Sequence, residues 1–568
     1  MVKYKVSSYQ SSRNRLKIEV ILPCPSEETQ LFLSAWRPGR YEEGNFTRLV
    51  THLQVFDPKG QKLSVKKAAK NTWVVETREA EFIQVSYLYV GNILNAGNTF
   101  HDDTLLMLNP VNSLIYSDIH YSQGIQLTLN FSSSCYGKTP DASKEWTFAH
   151  YDALFDQPLL CANDVQTLNY TVNEIPFYVH QWKMPWIPAE RIVQDFKAFT
   201  ERQFLDFGEF PAHEFHFILL GTPYEFLHGV EHVTSTVIVI GPNAENTEEF
   251  YQRLLSVASH ELYHVWNVKT LRPKDLTPYQ YQTLNYSRLG YIYEGVTTYM
   301  GDIYLLEAGI ISGPAYLEIL TKLMQAHLDN PGRFSMSVAD SSVDTWVDGY
   351  VKGTPGRKVS IYNEGALIAF MLDMQLRKAT NHKVRLSSFM QQLYLQFGKS
   401  SEGYTETAIL EVLHSLSSVD FTPFFQRYVN GANGYESGLV EALEFLGVTM
   451  ELRPPKFPFT GTTGIRLGKR LGSYFIAALA EGGPGETAGL CEEDELISLN
   501  GIAFQEENKA FIMQLEGIAE IQLEFRRGGI EKTVILPSVQ RTFFPSVVLT
   551  KGATEEKQVL KNQELFGI

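Results

Sequence analysis

Cysteine is scarce in this chain: four among 568 residues, at Cys24, Cys135, Cys161 and Cys491, with no Cys-x-x-Cys pair. That spacing excludes a thiolate zinc cluster and predicts isolated, reduced thiols. Basic charge is also short, 49 Lys and Arg against 64 Asp and Glu, for a net charge of −15. So acidic a balance argues against nucleic acid or an anionic membrane as partner, because both select basic surfaces. No apolar run is long enough to span a bilayer. The start, Met1-Val2-Lys3-Tyr4-Lys5-Val6-Ser7, lacks the apolar stretch of a secretion signal. Internal repeats and low-complexity tracts are missing too. The expectation is a soluble cytoplasmic protein whose length suggests three or four domains.

What the chain does have is His260-Glu261-Leu262-Tyr263-His264. Imidazoles four residues apart on a helix face the same way and can bind one Zn²⁺, with the intervening Glu within reach of its water. Apolar Phe250, Leu254, Leu255, Val257, Ala258, Leu262 and Val265 recur at three- and four-residue steps, which predicts a helix over 246–268. Asn246 and Glu249 have the spacing of a capping box at its start. The same five-residue pattern also occurs in proteins that bind no metal, so a third ligand has to be found. Glu294, opening a second helical stretch at Tyr293-Glu294-Gly295-Val296-Thr297-Thr298-Tyr299, is the candidate. Its aromatic neighbours argue for burial, and a buried carboxylate needs a partner. The competing reading is a solvated first-turn Glu favoured by the helix dipole. Thr298, one turn on, is a candidate for orienting a ligand histidine.

Around the motif the periodicity changes twice. Residues 1–170 alternate apolar and polar in short runs such as Leu16-Lys17-Ile18-Glu19-Val20, punctuated by Pro, Gly, Asn and Asp. This is an all-β pattern, expected to shape a wall of the cleft without contributing chemistry. A helix over 188–204 and strands over 213–220 and 235–240 follow, and helices dominate to about 448. Residues 171–452 therefore read as a thermolysin-like α/β lobe plus a helical lobe. The whole is a multidomain α+β protein.

His260-Glu261-x-x-His264-x-Trp266-Asn267-Val268-Lys269, followed by Glu294-Gly295-x-Thr297-x-Tyr299, resembles the glycyl aminopeptidase family of zinc metallopeptidases, of gluzincin type. Three further segments are similar to that family or its wider group. Tyr362-Asn363-Glu364-Gly365-Ala366 resembles a Tyr-x-Lys-Gly-Ala segment, with Glu364 at the usual Lys. His228-Gly229-Val230-Glu231-His232 resembles Gly-Gly-x-Glu-His, with His228 replacing the first Gly. Trp36-Arg37-Pro38-Gly39-Arg40-Tyr41 resembles a Trp-x-Pro-Gly-x-Tyr turn. The resemblance implies one zinc ion per chain on His260, His264 and Glu294, and Glu261 as general base. It further implies Tyr362 as donor to the oxyanion, Glu231 as anchor for the substrate's α-ammonium, and peptides with small N-terminal residues such as Gly or Ala as substrates. Two other classes stay open: a zinc endopeptidase whose C-terminal module recruits substrates by their C-termini, and a peptide-binding adaptor that keeps a metal site without turnover.

After a proline-stiffened linker at Pro454-Pro455-Lys456-Phe457-Pro458, residues 458–540 resemble a PDZ domain of the bacterial-protease kind. The signature is Gly482-Gly483-Pro484-Gly485 before Asp494-Glu495-Leu496-Ile497-Ser498-Leu499-Asn500-Gly501. Such modules accept a peptide as an added strand and hold its carboxylate with backbone N–H groups. Gly464, Ile465, Arg466 and Leu467 are the candidate carboxylate loop. A module that packs and binds nothing is the alternative. Residues 541–568 are expected to form a strand over 546–550 and then a polar tail.

Overall fold

The computed structural model describes residues 1–24, 26–77, 80–138, 145–244, 247–351, 353–400, 402–513, 520–537, 542–552, 562 and 566–567. It divides into two compact units, Met1–Tyr316 with Asn330–Gly438, and Leu317–Asp329 with Leu439–Ile568.

The alternation near the N-terminus builds a twisted sheet. In Val2–Gln10 the even residues Val2, Tyr4 and Val6 are buried while Lys3 and Lys5 face water, as a two-residue side-chain period requires. Six strands run in the order Glu145–Phe148, Ile125–Asn130, Val2–Gln10, Arg15–Pro23, Phe82–Val90 and Val50–Phe56. A three-stranded sheet and a four-stranded sheet complete the β-rich region.

One correction arises here. Cys135 and Cys161, expected as separate reduced thiols, form a disulfide. They face each other across the antiparallel pair Ser134–Tyr136 and Leu159–Ala162, with Cα atoms 4.1 Å apart. The pairing is set by strand register over 26 residues, which spacing in the sequence does not reveal. Cys24 and Cys491 are free.

The sheet beside the motif helix runs Gln166–Val172, Ile175–Trp182, Phe215–Gly221, Ser235–Gly241 and Phe226–Glu231. Its inner strands Phe215–Gly221 and Ser235–Gly241 are buried at every residue, because helices cover one face and the β-rich region the other. Phe226–Glu231 pairs antiparallel with Ser235–Gly241 and forms the edge of that sheet. Helix Ala189–Phe207 packs through Phe196 and Phe199 against Phe217 of the sheet.

The motif helix is shorter than its periodicity suggested. It spans Glu248–Tyr263, with Thr247 as N-cap accepting from the Phe250 N–H; Asn246, expected in that role, lies outside the described residues. It ends at the second motif histidine, since His264 is the C-cap and the chain then turns through Val265 to Thr270. The lower region is helical, as expected, with Thr297–Glu307, Val338–Asp348, Ile361–Thr380, Leu386–Phe397 and Glu406–Ser417 as its main helices. A wide π-type turn, Tyr291–Val296, leads into Thr297–Glu307 and carries Glu294.

The second unit is a separate α+β body. Val448–Arg453 pairs antiparallel with Ser546–Lys551. Beyond it, a sheet runs Ile465–Arg470, Ser473–Leu479, Glu495–Leu499, Ile521–Arg527 and Ile530–Leu536 around a core that includes Phe459, Ile476, Leu499 and Leu523. Asn500 and Gly501 both take positive φ, and Leu499 pairs with Ile502, the tight hairpin an Asn-Gly pair favours. Pro458, expected in a linker, instead begins the short helix Pro458–Thr463, where proline is tolerated at the first position. The tail expected after 550 falls mostly outside the described residues.

Candidate active site

The motif helix, the π-type turn, the edge strand Phe226–Glu231 and the start of helix Ile361–Thr380 enclose one cavity of about 530 Å³. Three of the expected residues meet there. The Nε2 atoms of His260 and His264 lie 3.0 Å apart, and Glu294 Oε2 is 3.6 Å from the first and 3.4 Å from the second. Donors about 2.0–2.1 Å from a tetrahedral ion stand about 3.4 Å from one another, so these edges fit zinc. The tautomer fits as well. His264 Nδ1 donates to the Asn267 carbonyl at 2.8 Å, which leaves the Nε2 lone pair of the neutral ring aimed into the cavity.

Electrostatics points the same way. Burial pulls the His264 imidazole down, but Glu294, Glu231 and Glu261 outweigh it and hold its pKa up at about 10. Glu294 is buried, yet His264 and His260 bring its pKa down to about 2. His260 moves the other way, lowered chiefly by burial and by His264. Glu294 and Glu231 raise both imidazoles, and Glu261 adds to the rise at His264. Three carboxylates around two imidazoles form a cavity that calls for a cation.

Glu261, between the two histidines, is buried with its Oε2 unbonded. Burial pushes its pKa well above the carboxylate range, with Glu231 and Glu294 adding to the push and His264 opposing it. The strand lies against it: a Cβ on Gly229 would collide with the Glu261 carboxylate. Glu231 is also buried, and its Oε1 lacks a hydrogen bond. Oxygen or nitrogen atoms of Glu231, Glu261 and His264 lie within 4.8 Å of one another. Tyr362 lines the cavity beside His260, ring centroids 6.4 Å apart, and its hydroxyl is 3.3 Å from that of Tyr350. Burial first and Glu294 second raise the Tyr362 pKa, so its hydroxyl keeps its proton.

Thr298 does not orient a ligand histidine. Its hydroxyl bonds back to the Glu294 carbonyl at 2.9 Å, the habit of a helical threonine; the Asn267 carbonyl orients His264 instead. Asn267 is itself fixed, donating to Ile292 O at 3.0 Å and Thr297 Oγ1 at 3.1 Å. The residues at which the chain departs from the family pattern fall differently. His228 lines the cavity, whereas the buried Glu364 is not among its lining residues.

The β-rich region contributes more than a wall. Trp36 donates to Gln280 O at 2.9 Å and packs against Tyr279, Tyr281 and Trp346. That anchor delivers the Arg37–Tyr41 turn into the cleft. Gly39 has φ +80°, and a Cβ there would strike Glu231 Oε2. Arg40 lines the cavity, pairs with Glu42 and lies 4.7 Å over the Tyr350 ring. Arg40, Tyr350 and Arg253 were not singled out from the sequence. For Arg253 a signal existed, since positions 253, 257, 260 and 264 share one helical face.

The chain is similar to known families and structures. Residues 253–368 match the family described as M61 glycyl aminopeptidase, and residues 3–163 match the peptidase M61 N-terminal domain. No curated protein matches this chain. Among solved structures, an aminopeptidase N family protein from Idiomarina loihiensis is similar at 24% identity and a TM-score of 0.90, over 99% of this chain and 99% of that one. The M1 zinc metallopeptidase from Deinococcus radiodurans aligns with 76% of this chain and 93% of its own at 16% identity, TM-score 0.46. No helix among the described residues is long and apolar enough to cross a membrane.

Proposed function

We propose that this chain is a zinc-dependent aminopeptidase that removes small N-terminal residues, Gly or Ala, from peptides. The observation that carries the reading is the meeting of His260, His264 and Glu294 donor atoms within 4.8 Å of one another, beside a buried, unbonded Glu261 oxygen. His260, His264 and Glu294 would hold zinc, which when bound would supply Lewis acidity to water and to the scissile carbonyl.

The remaining work falls to the protein's own groups. Glu261 accepts the proton of the attacking water and returns it to the departing amine; its raised pKa suits a group that must do both. Tyr362, kept protonated, donates to the oxygen as it becomes negative, and loss of one such donor costs about 10²–10³ in kcat. Glu231 takes the α-ammonium, which satisfies an otherwise unbonded buried carboxylate oxygen. The substrate lies along the open edge of strand Phe226–Glu231 as an added strand. Gly39 and the neighbouring turn close the space around Glu231, in keeping with a small first residue; the Gly and Ala preference itself follows the description of the family.

Glu261→Gln tests the reading. The variant should keep zinc by metal analysis and keep its melting temperature while hydrolysis of Gly-p-nitroanilide falls about 10²–10⁴-fold. Appreciable residual turnover with zinc bound removes Glu261 as the base. Cleavage of N-blocked, internally quenched peptides in preference to Gly-p-nitroanilide would favour an endopeptidase instead.

We also infer a PDZ-type role for the second unit, with Gly464, Ile465, Arg466 and Leu467 at its peptide site. Supporting it, Ile465–Arg470 is an edge strand with Ser473–Leu479 as its only strand neighbour among the described residues. Arg466 is already engaged by Asp329 at 2.6 Å and by the Phe544 ring at 4.2 Å, so its guanidinium is not free for a carboxylate, and the Gly464 and Ile465 N–H groups, bonded to Thr460 O and Thr463 Oγ1, would have to exchange those partners to take one.

A further inference from the structure

The catalytic cavity has opposite charges at its two ends. Strand Phe226–Glu231 and helix Glu248–Tyr263 run in the same direction along it, as three pairings show. Glu231 lies with His264, Gly229 lies against Glu261, and the Phe226 carbonyl accepts from Arg253 Nη2 at 3.5 Å. The Glu231 end is anionic. At the other end Arg253 lines the cavity, half-buried, and no carboxylate of the described residues pairs with it. Its one hydrogen bond, to the Phe226 carbonyl, is long. Arg40, the other arginine lining the cavity, is already neutralised by Glu42 and stacked on Tyr350. Between the His260–Glu294 cluster and Arg253 the lining is Leu227 and Val257 together with Ser256 and His228, and it holds no carboxylate.

Resting on the aminopeptidase reading, we propose that Arg253 binds the free C-terminal carboxylate of the substrate, so that the cavity selects zwitterionic peptides of three or four residues. Two lengths give the size. Seven residues of helix from His260 to Arg253 rise about 10.5 Å. Three residues of strand from Gly229 to Phe226 span about 10 Å. An extended peptide covers about 3.3–3.6 Å per residue, so a carboxylate at Arg253 belongs to the second or third residue beyond the cleaved bond. Arginine suits the task because its planar fork matches a carboxylate with two parallel hydrogen bonds.

The test uses the zinc-loaded full-length chain, and Gly-Ala-Ala and Gly-Ala-Ala-Ala as free acids and as C-terminal amides. The wild type should prefer the acids about tenfold in kcat/KM, through KM, and a nine-residue peptide should lose that preference. Arg253→Gln should remove the acid preference while leaving the amides unchanged, and Arg253→Lys should restore part of it. Equal kcat/KM for acid and amide in the wild type, or an equal loss on both in Arg253→Gln, overturns the proposal. If no peptide is cleaved, the aminopeptidase reading fails separately, and calorimetric titration with the same acid and amide pair reads the anchor alone. Tighter binding of the acid, lost in Arg253→Gln, keeps it; equal binding ends it.

Discussion

Asp302 sits behind the motif helix, buried on Thr297–Glu307 with Ser256 Oγ donating to it at 3.1 Å. Burial raises its pKa to about 6, and the Ser256 hydrogen bond only partly opposes the shift. The direction fixes the sign of a pH effect. Between about pH 4 and pH 6 the unfolded carboxyl ionises while the folded one keeps its proton, so stability falls as pH rises through that window and then levels. Asp302→Asn keeps an acceptor for Ser256 and never ionises. Relative to wild type it should therefore gain about 1–3 kcal/mol between pH 4 and pH 7, read as a difference in melting temperature that widens over that interval. A difference independent of pH would mean the carboxyl is not held protonated. Residues at this scale were unevenly legible. His260, Glu261 and His264 lie within one turn of helix, and a four-residue spacing is visible in sequence. Arg40 and Tyr350 meet over 310 residues of chain, and no local pattern announces such a pair.

Elements had to be brought together by something smaller than a side chain. The π-type turn that carries Glu294 crosses helix Ile361–Thr380, which carries Tyr362, at two glycines. A Cβ on Gly295 would fall on Gly365 Cα, and one on Gly365 would lie 2.6 Å from Gly295 Cα and 2.8 Å from Tyr291 O. These are backbone atoms that cannot rotate away. Gly295→Ala should therefore push the two elements apart, lowering stability by about 1–3 kcal/mol. Because Glu294 is the preceding residue, zinc affinity by chelator competition should weaken along with melting temperature. Unchanged zinc affinity in a destabilised variant would detach the glycine contact from the ligand's placement. The element types themselves were largely written in periodicity: alternation before 170, three- and four-residue steps around the motif, helices to about 448. The ends were not. Asp, Thr and Asn cap equally well on paper, and the motif helix stops at His264 because the Asn267 carbonyl engages its ring, a contact made only after the chain turns.

At the scale of the whole molecule, the division of the chain does not follow its order. Leu317–Asp329 belongs with Leu439–Ile568 although 330–438 returns to the first unit. Within the second unit that helical segment is tied by Gln325, whose Nε2 donates to Pro545 O at 3.1 Å and whose Oε1 accepts from Val547 N at 2.8 Å, and by Asp329 paired with Arg466. Sequence periodicity shows the helix but not which body it joins, because heptad-like spacing is satisfied by either. All the residues lining the candidate active-site cavity, from Gly39 to Tyr362, lie in the first unit. Deleting 455–568 should therefore leave kcat/KM on a dipeptide amide within about threefold of wild type, since no cavity group is removed. Stability should suffer, because Gln325 and Asp329 lose their partners and apolar surface on 317–329 returns to water at about 25 cal/mol per Å². Circular dichroism and melting temperature report the second effect, and turnover of Gly-Ala-NH₂ at a temperature below the new melting point reports the first. A truncated chain that retains its helical signal and its zinc yet has lost turnover would make the second unit part of the catalytic apparatus, and the assignment of catalysis to the first unit alone would fall.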